Sequence, residues 1–163
     1  MLFRSIATSI NICIMRVLKI TEPVLIEKNI LLTQKLTSTK TIHLYPNEIM
    51  QVILSLLKNA EDALQEQEER AKERGEVPSV KKIEIESYNR ADGVELRIGD
   101  NAGGIPDAIV EKIFDPYFST KQEKNGTGLG LYMSKMIIEE HHKGSLKFEI
   151  GRASCRERVF RAV

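Results

Sequence analysis

Apolar residues recur at helical spacing most clearly over 46–75, "PNEIMQVILSLLKNAEDALQEQEERAKERG". Ile49, Val52, Ile53, Leu56, Leu57, Ala60 and Leu64 fall on one face. Pro46 and Asn47 form a start signal, Glu48 puts negative charge in the first turn, and Gly75 provides the stop. Glu66–Arg70 and Glu68–Lys72 at i,i+4 predict a solvated far end. Strict alternation follows in "KKIEIESY" and "GVELRIGD", two strands joined by "NRADG", whose Asp92-Gly93 signals a hairpin. "ILLTQKLTSTKTIHL" reads as two short strands around polar turn residues. "ICIMRVLKITEPVLIEKN" has helical periodicity, with Pro23 as a kink or break. The first twenty residues read as an amphipathic helix docked on the domain. Their apolar run is too interrupted for a secretory signal and too short to span a bilayer. After the hairpin comes a long loop, then a helix from "GTGLGLYMSKMIIEEHHKG". Leu129, Tyr132, Met133, Met136 and Ile137 form its expected apolar face, and Gly144 its expected end. "SLKFEI" is a last strand.

Composition narrows the picture modestly. The chain has 163 residues, 42% hydrophobic and 29% charged, with a net charge of +1. That fits one globular domain and argues for neither nucleic acid nor an anionic membrane as partner. Cys13 and Cys155 are far apart with no metal-type spacing, which predicts free thiols in a reducing compartment. The Arg-rich end, "GRASCRERVFRAV", lacks periodicity and is expected to lie outside the fold. The predicted organisation is an N-terminal extension over 1–10, one domain over 11–149, and a non-native tail over 150–163.

Three features carry candidate chemistry. Asn59 lies off the centre of the apolar face of the long helix, on the side shared by Ser55, Asp62 and Glu66. Its amide oxygen suits a hard cation such as Mg²⁺ carrying a nucleotide. Asp100 ends a strand just before Gly103 and Gly104; a carboxylate there can accept from an exocyclic amine while the glycines let a flat ring approach. Gly126 to Leu131, "GTGLGL", opens a helix with glycine-rich backbone whose N–H groups suit phosphates. No Gly-Lys-Ser/Thr follows, so it is not a Walker loop.

Each pattern alone is weak. Together, in this order, they resemble the ATP-binding catalytic domain of sensor histidine kinases, within the wider group shared with DNA gyrase, Hsp90 and MutL. "LLKNAEDAL" is similar to the N box of that group, "DNAGGI" to the G1 box, "FDPYFSTK" to the F box and "GTGLGL" to the G2 box. The resemblance covers residues 11–149. It implies a two-layer α/β sandwich, with a mixed sheet of about five strands packed on three helices. It also implies roles. Asn59 holds Mg²⁺, and Asp62 lines the same pocket. Asp100 binds the adenine amine, with Gly104 and Ile105 beside the ring. Phe114 and Phe118 anchor a lid, and Lys121 reaches the phosphates. Gly126, Thr127, Gly128, Leu129, Gly130 and Leu131 form the hinge and helix start.

Two departures stand out. Ala102 replaces the first glycine of the usual G1 pattern, which predicts weakened binding. Ser55 stands where ATPases of the group carry a general-base glutamate, and a serine cannot take a proton at neutral pH. Glu61, nearby in sequence, points away from Asn59. The missing base favours phosphotransfer over hydrolysis. His43, His141 and His142 lack the context of a phosphoacceptor, so the histidine is expected on a separate dimerisation hairpin. A response regulator receiver domain would follow indirectly. The expected setting is the cytoplasm, either free or as part of a membrane-bound sensor. An ATPase or chaperone-like relative and a degenerate ATP-binding regulatory module remain alternatives; an anti-sigma serine kinase shares the boxes but would normally keep a base for its hydroxyl substrate.

Overall fold

A computed structural model describes residues 4–120, 126–150 and 156–162. The order of elements is β1 (Ile6–Ser9), α1 (Ile10–Glu27), β2 (Ile30–Leu36), β3 (Thr41–Leu44), α2 (Pro46–Glu73), β4 (Lys81–Arg90), β5 (Gly93–Asp100), α3 (Asp107–Val110), α4 (Gly130–Met136), β6 (Ser145–Ile150) and β7 (Arg156–Ala162). A π-turn over Ile137–His141 continues α4.

The main sheet has the order β2-β4-β5-β7-β6. β2 runs parallel to β4, and the remaining pairs are antiparallel. A mixed sheet of about five strands is what the resemblance implies, but β7 stands in it and β3 does not. The β4–β5 hairpin closes with Arg90 opposite Gly93, so its turn is Ala91-Asp92. Alternation sets its two faces. Ile83 and Ile85 of β4 and Val94, Leu96 and Ile98 of β5 are buried in one core with Leu56, Leu57 and Leu64 of α2 and Ile14 and Val17 of α1. Lys82 and Glu84 point to the exposed face.

α2 follows the periodicity closely: every residue of its predicted apolar face is buried, together with Glu61 and Ala71. Pro46 occupies the first turn, and Gly75 adopts φ +69 just past the end.

Three local expectations need correction. The N-terminal segment is not helical throughout: Ile6–Ser9 is a strand antiparallel to β3, and α1 begins at Ile10, capped by the Ser9 side chain. Pairing with β3 gives those backbone groups partners that a frayed helix end would lack. Pro23 does not break α1, which runs on to Glu27.

The apolar face expected for the α4 helix is also displaced. Met133 and Met136 are 43% and 39% exposed, whereas Ser134, Ile137 and Ile138 are buried. The π-turn, closed by the His142 N–H on the Ile137 carbonyl at 3.2 Å, adds a residue to the turn and shifts the buried side out of the 3.6-residue register. Ser134 can be buried because its hydroxyl donates to the Gly130 carbonyl at 2.8 Å. The helix ends at Gly144 as expected: its N–H donates to the Ile138 carbonyl at 2.9 Å, just after Lys143, which is left-handed at φ +54.

The largest correction concerns the tail. Arg156–Ala162 is not outside the fold but lies between β5 and β6, with Leu96 opposite Phe160 and Leu146 opposite Phe160. A ladder is made by backbone groups, whatever the side-chain pattern, and without β7 both neighbouring strands would present open edges. Cys155 lies outside the described residues. Cys13 is a free thiol, buried at 1% exposure, and burial pushes its pKa up, so it behaves as a small core residue.

The exposed face of the sheet carries one ionic cluster. Glu95 accepts from Arg90 Nε at 2.6 Å and from Arg97 Nε at 2.5 Å. The Arg90 hydrogen bond is the main cause that lowers its carboxyl from 4.5 to about 2, against burial, with Arg97 adding to it. A lowered native pKa means stability that is present above the unfolded value and lost as pH falls from 4.5 towards 2. Glu95→Gln should therefore cost of the order of 1–2 kcal/mol at pH 7, a discounted figure because water screens the half-exposed Arg90. Urea midpoints of wild type and variant should converge as pH is lowered towards 2.

Candidate functional site

A cavity of about 970 Å³ opens between α2, the segment after β5, and the turn that leads into α4. α2 supplies Ser55, Asn59, Asp62, Glu66 and Arg70, a stripe at helical spacing beside the buried face. Lys58 and Ala63 stand at its edges. The opposite wall comes from Gly104, Ile105, Pro106, Ile109 and Ile113, then Phe118, Ser119 and Thr120. Gly126, Thr127, Gly128, Gly130 and Leu131 close the end next to α4.

Most of the predicted set meets here: Asn59, Asp62, Gly104, Ile105, Phe118, Gly126, Thr127, Gly128, Gly130 and Leu131 all line this one cavity. Leu129 lines a neighbouring cleft of about 210 Å³, which shares Ser55, Thr127 and Gly130 with it. Lys121 lies outside the described residues. Asp100 is not in the wall. It is buried at 5% exposure, and its Oδ1 accepts the Ala102 N–H at 3.0 Å. Phe114 is half-buried against the core, with the Lys135 ammonium 5.1 Å from its ring centre.

Local backbone explains the glycines. Gly103 and Gly104 are both left-handed, at φ +78 and +85. Ala102 is not left-handed, and its side chain packs on the core. The turn thus needs glycine at 103 and 104 but not at 102, so the alanine imposes no backbone strain. Gly128 is left-handed at φ +67 against the backbone of Tyr117, itself left-handed at φ +64. A Cβ on Gly128 would lie 2.5 Å from the Tyr117 carbonyl carbon. A Cβ on Gly130 would lie 2.9 Å from Ser55 Oγ. The glycines thus let the F-box and G2-box segments approach each other, and the start of α4 approach α2, more closely than a side chain would allow.

The charges in the wall are paired. Asp62 lies 3.0 Å from Lys58 Nζ, and Glu66 lies 2.5 Å from Arg70. Glu61 faces away from the cavity, as its helical angle predicts: it is 7% exposed and ion-paired with Lys28 of α1 and with Lys58. Burial pushes its carboxyl up, but the two ammonium groups outweigh burial and hold it below the usual carboxylate range. No partner holds the Asn59 amide among the described residues. Nor does any group of three or more His, Cys, Asp or Glu there stand ready to hold a metal.

The histidine pair has a structural use. His142 is buried; its Nδ1 lies 2.9 Å from the Ile137 carbonyl, and its Nε2 accepts the Tyr45 N–H at 3.0 Å. It ties the π-turn to the start of α2. His141 Nδ1 lies 3.0 Å from Glu48.

Sequence reasoning missed Lys58, Arg70, Ile109 and Ile113. Arg70 reads as part of a solvated helix end and Lys58 is given no role, although each stands four residues from a carboxylate of the wall. Ile109 and Ile113 sit in the stretch read as a structureless loop.

A mixed sheet covered by helices on one face, with a nucleotide-sized cleft walled by the N, G1, F and G2 segments, defines an ATP-binding catalytic domain. The family model described as "Histidine kinase-, DNA gyrase B-, and HSP90-like ATPase" matches residues 45–160, and the chain belongs to that family. It is 39% identical over 92 residues to the two-component sensor PprA of Pseudomonas aeruginosa, and 38% identical over 94 residues to the signal transduction histidine-protein kinase AtoS of Escherichia coli. Those matches cover 56% and 57% of this chain but 9% and 13% of the relatives. The chain thus spans about a tenth of the length of such relatives. Among solved structures, the catalytic domain of histidine kinase ThkA is 25% identical with a TM-score of 0.81, over 97% of this chain and 94% of that one. The fold and its place among histidine kinase ATP-binding domains therefore agree with the sequence reading. No helix among the described residues is long and apolar enough to cross a membrane.

Proposed function

We propose that the chain binds Mg-ATP in this cleft and presents the γ-phosphoryl group to a histidine on a dimerisation hairpin, which then passes it to a response regulator receiver domain. One observation carries the choice of transfer over hydrolysis. Ser55 lines the cleft one turn before Asn59, and the carboxylates of the wall, Asp62 and Glu66, are each tied to a cation. A tied carboxylate is a poor general base for water, and an imidazole acceptor needs none.

The donor set fits the group. The cleft is of nucleotide size, with Ile105, Ile109, Ile113 and Leu131 as apolar wall for a base and Asn59, Lys58 and Thr127 as polar wall. In this reading Asn59 gives its oxygen to a Mg²⁺ carried by the phosphates, and Asp62 helps to hold its water shell. Asp100 lies behind this wall, so in this reading the adenine amine reaches it past Gly104, which gives the ring room. Thr127 and the backbone of 126–130 meet the phosphates, and Lys121 adds charge. Phe114 and Phe118 hold the covering segment in place. Bound ATP supplies the phosphoryl group and Mg²⁺ neutralises its charge; the protein orients both and keeps water away. A relative described with a response regulator, ThkA in complex with TrrA, supports the same partner class here.

A calorimetric titration of Mg-ATP is the test. Saturable binding without continuing heat, followed by acid-labile phosphate on an added histidine hairpin, is the expected result. Sustained heat from the chain alone would favour an ATPase, and binding with no transfer to any hairpin would favour a regulatory module.

A further inference from the structure

The cation nearest Asn59 in sequence is built into a cluster with one lysine more than its buried carboxylate needs. Glu61 is buried and has two ammonium partners, Lys28 from the end of α1 and Lys58 from its own helix. Lys58 also reaches Asp62 at 3.0 Å and lines the cleft, with its side chain 60% exposed. Lys28 does not line the cleft; it anchors α1 to α2. If Lys58 moved, Glu61 would still be paired. A buried carboxylate stripped of its last partner is strongly destabilising, but loss of one partner of two is not.

Arg70, the other cation of the described wall, stands about three helical turns beyond Asn59 on α2. It holds Glu66 through an i,i+4 pair, and both side chains are about half exposed or more. We propose that Lys58 is a phosphate-contacting residue, released from Glu61 and Asp62 to meet the polyphosphate of the nucleotide while Lys28 keeps Glu61 neutralised. Asp62, freed of its lysine, then faces the cation that accompanies the phosphates. This exchange lets the cleft take up a polyanion without adding net charge beforehand: the wall is balanced, and the lysine is handed from carboxylates to phosphates. The assignment rests on the nucleotide reading above.

The test compares Lys58→Gln and Lys28→Gln in the full chain, with Mg-ATP and with adenosine as probes, in calorimetric titrations at two salt concentrations. Lys58→Gln should lower Mg-ATP affinity about tenfold, leave adenosine affinity unchanged, and weaken the salt dependence. Its urea midpoint should stay close to wild type. Lys28→Gln should weaken Mg-ATP binding, because Lys58 must then stay with Glu61, with only a small fall in the urea midpoint since Glu61 keeps one partner. Wild type that binds both probes, with Lys58→Gln unaltered towards Mg-ATP, overturns this assignment alone. Equal loss for Mg-ATP and adenosine also overturns it, since the lysine would then be shaping the cleft and not touching phosphate. Wild type that binds neither probe overturns the nucleotide reading and this assignment with it.

Discussion

Asn59→Ala should lower Mg-ATP affinity by about 100-fold or more and make what remains insensitive to EDTA. The argument is local. Asn59 stands on the cavity stripe of α2 with Ser55, Asp62, Glu66 and Arg70, and no partner among the described residues claims its amide. It is half-buried and not part of the core cluster, so its loss should cost the fold no more than about 1 kcal/mol. A side chain that only packed would weaken ATP binding alike with and without Mg²⁺. A ligand oxygen should couple to the metal: hard cations need oxygen donors, and the protein offers few here. Titrations of wild type and variant in Mg²⁺ and in EDTA separate the two. Wild type should lose affinity on chelation, whereas the variant should not. A variant that still responds fully to Mg²⁺ would remove Asn59 from the metal.

Gly128→Ala should also disable binding, for a steric reason. The left-handed φ of +67 costs a side chain about 1 kcal/mol. Steric overlap costs more: the new Cβ would sit 2.5 Å from the Tyr117 carbonyl carbon and 2.7 Å from its Cα and O. These are backbone atoms, so no rotamer change relieves the overlap. One of the two segments must move, and both line or adjoin the cleft. Nucleotide affinity should fall tenfold or more with the core intact. Gly75→Ala is the control. Gly75 has nearly the same φ, +69, but nothing lies within 4 Å of its Cβ position. That variant should lose about 1 kcal/mol of stability and no affinity. Equal affinity losses in both variants would show that the contact with Tyr117 is immaterial.

Both predictions rest on positions that are legible in the sequence alone. The stripe Ser55–Asn59–Asp62–Glu66 follows from helical spacing, and the need for glycine in "GTGLGL" follows from what its motif must do. The other half of the cleft is hidden. Ile109 and Ile113 lie in a segment with no clean period, and Tyr117 gives no sign in the sequence of its φ of +64. Asp100 is legible as a strand end, but not its burial or its hydrogen bond to the Ala102 N–H.

Residue order alone encodes whatever repeats within a few residues. That includes α2 with its buried face and its caps, the β4–β5 hairpin with its alternation, and the order of the four boxes. Local periodicity reports which side of an element is apolar, because neighbours at i,i+2 or i,i+4 share a face whatever the chain does elsewhere. The tertiary structure alone decided which elements meet. It paired Ile6–Ser9 with β3 in a second small sheet and placed Arg156–Ala162 between β5 and β6. It buried Ser134 and Ile138 and left Met133 exposed, and it set Lys28 against Glu61 across two helices. Strand partners are chosen by backbone groups that every residue carries, and ion pairs across elements by distances that no sequence spacing encodes.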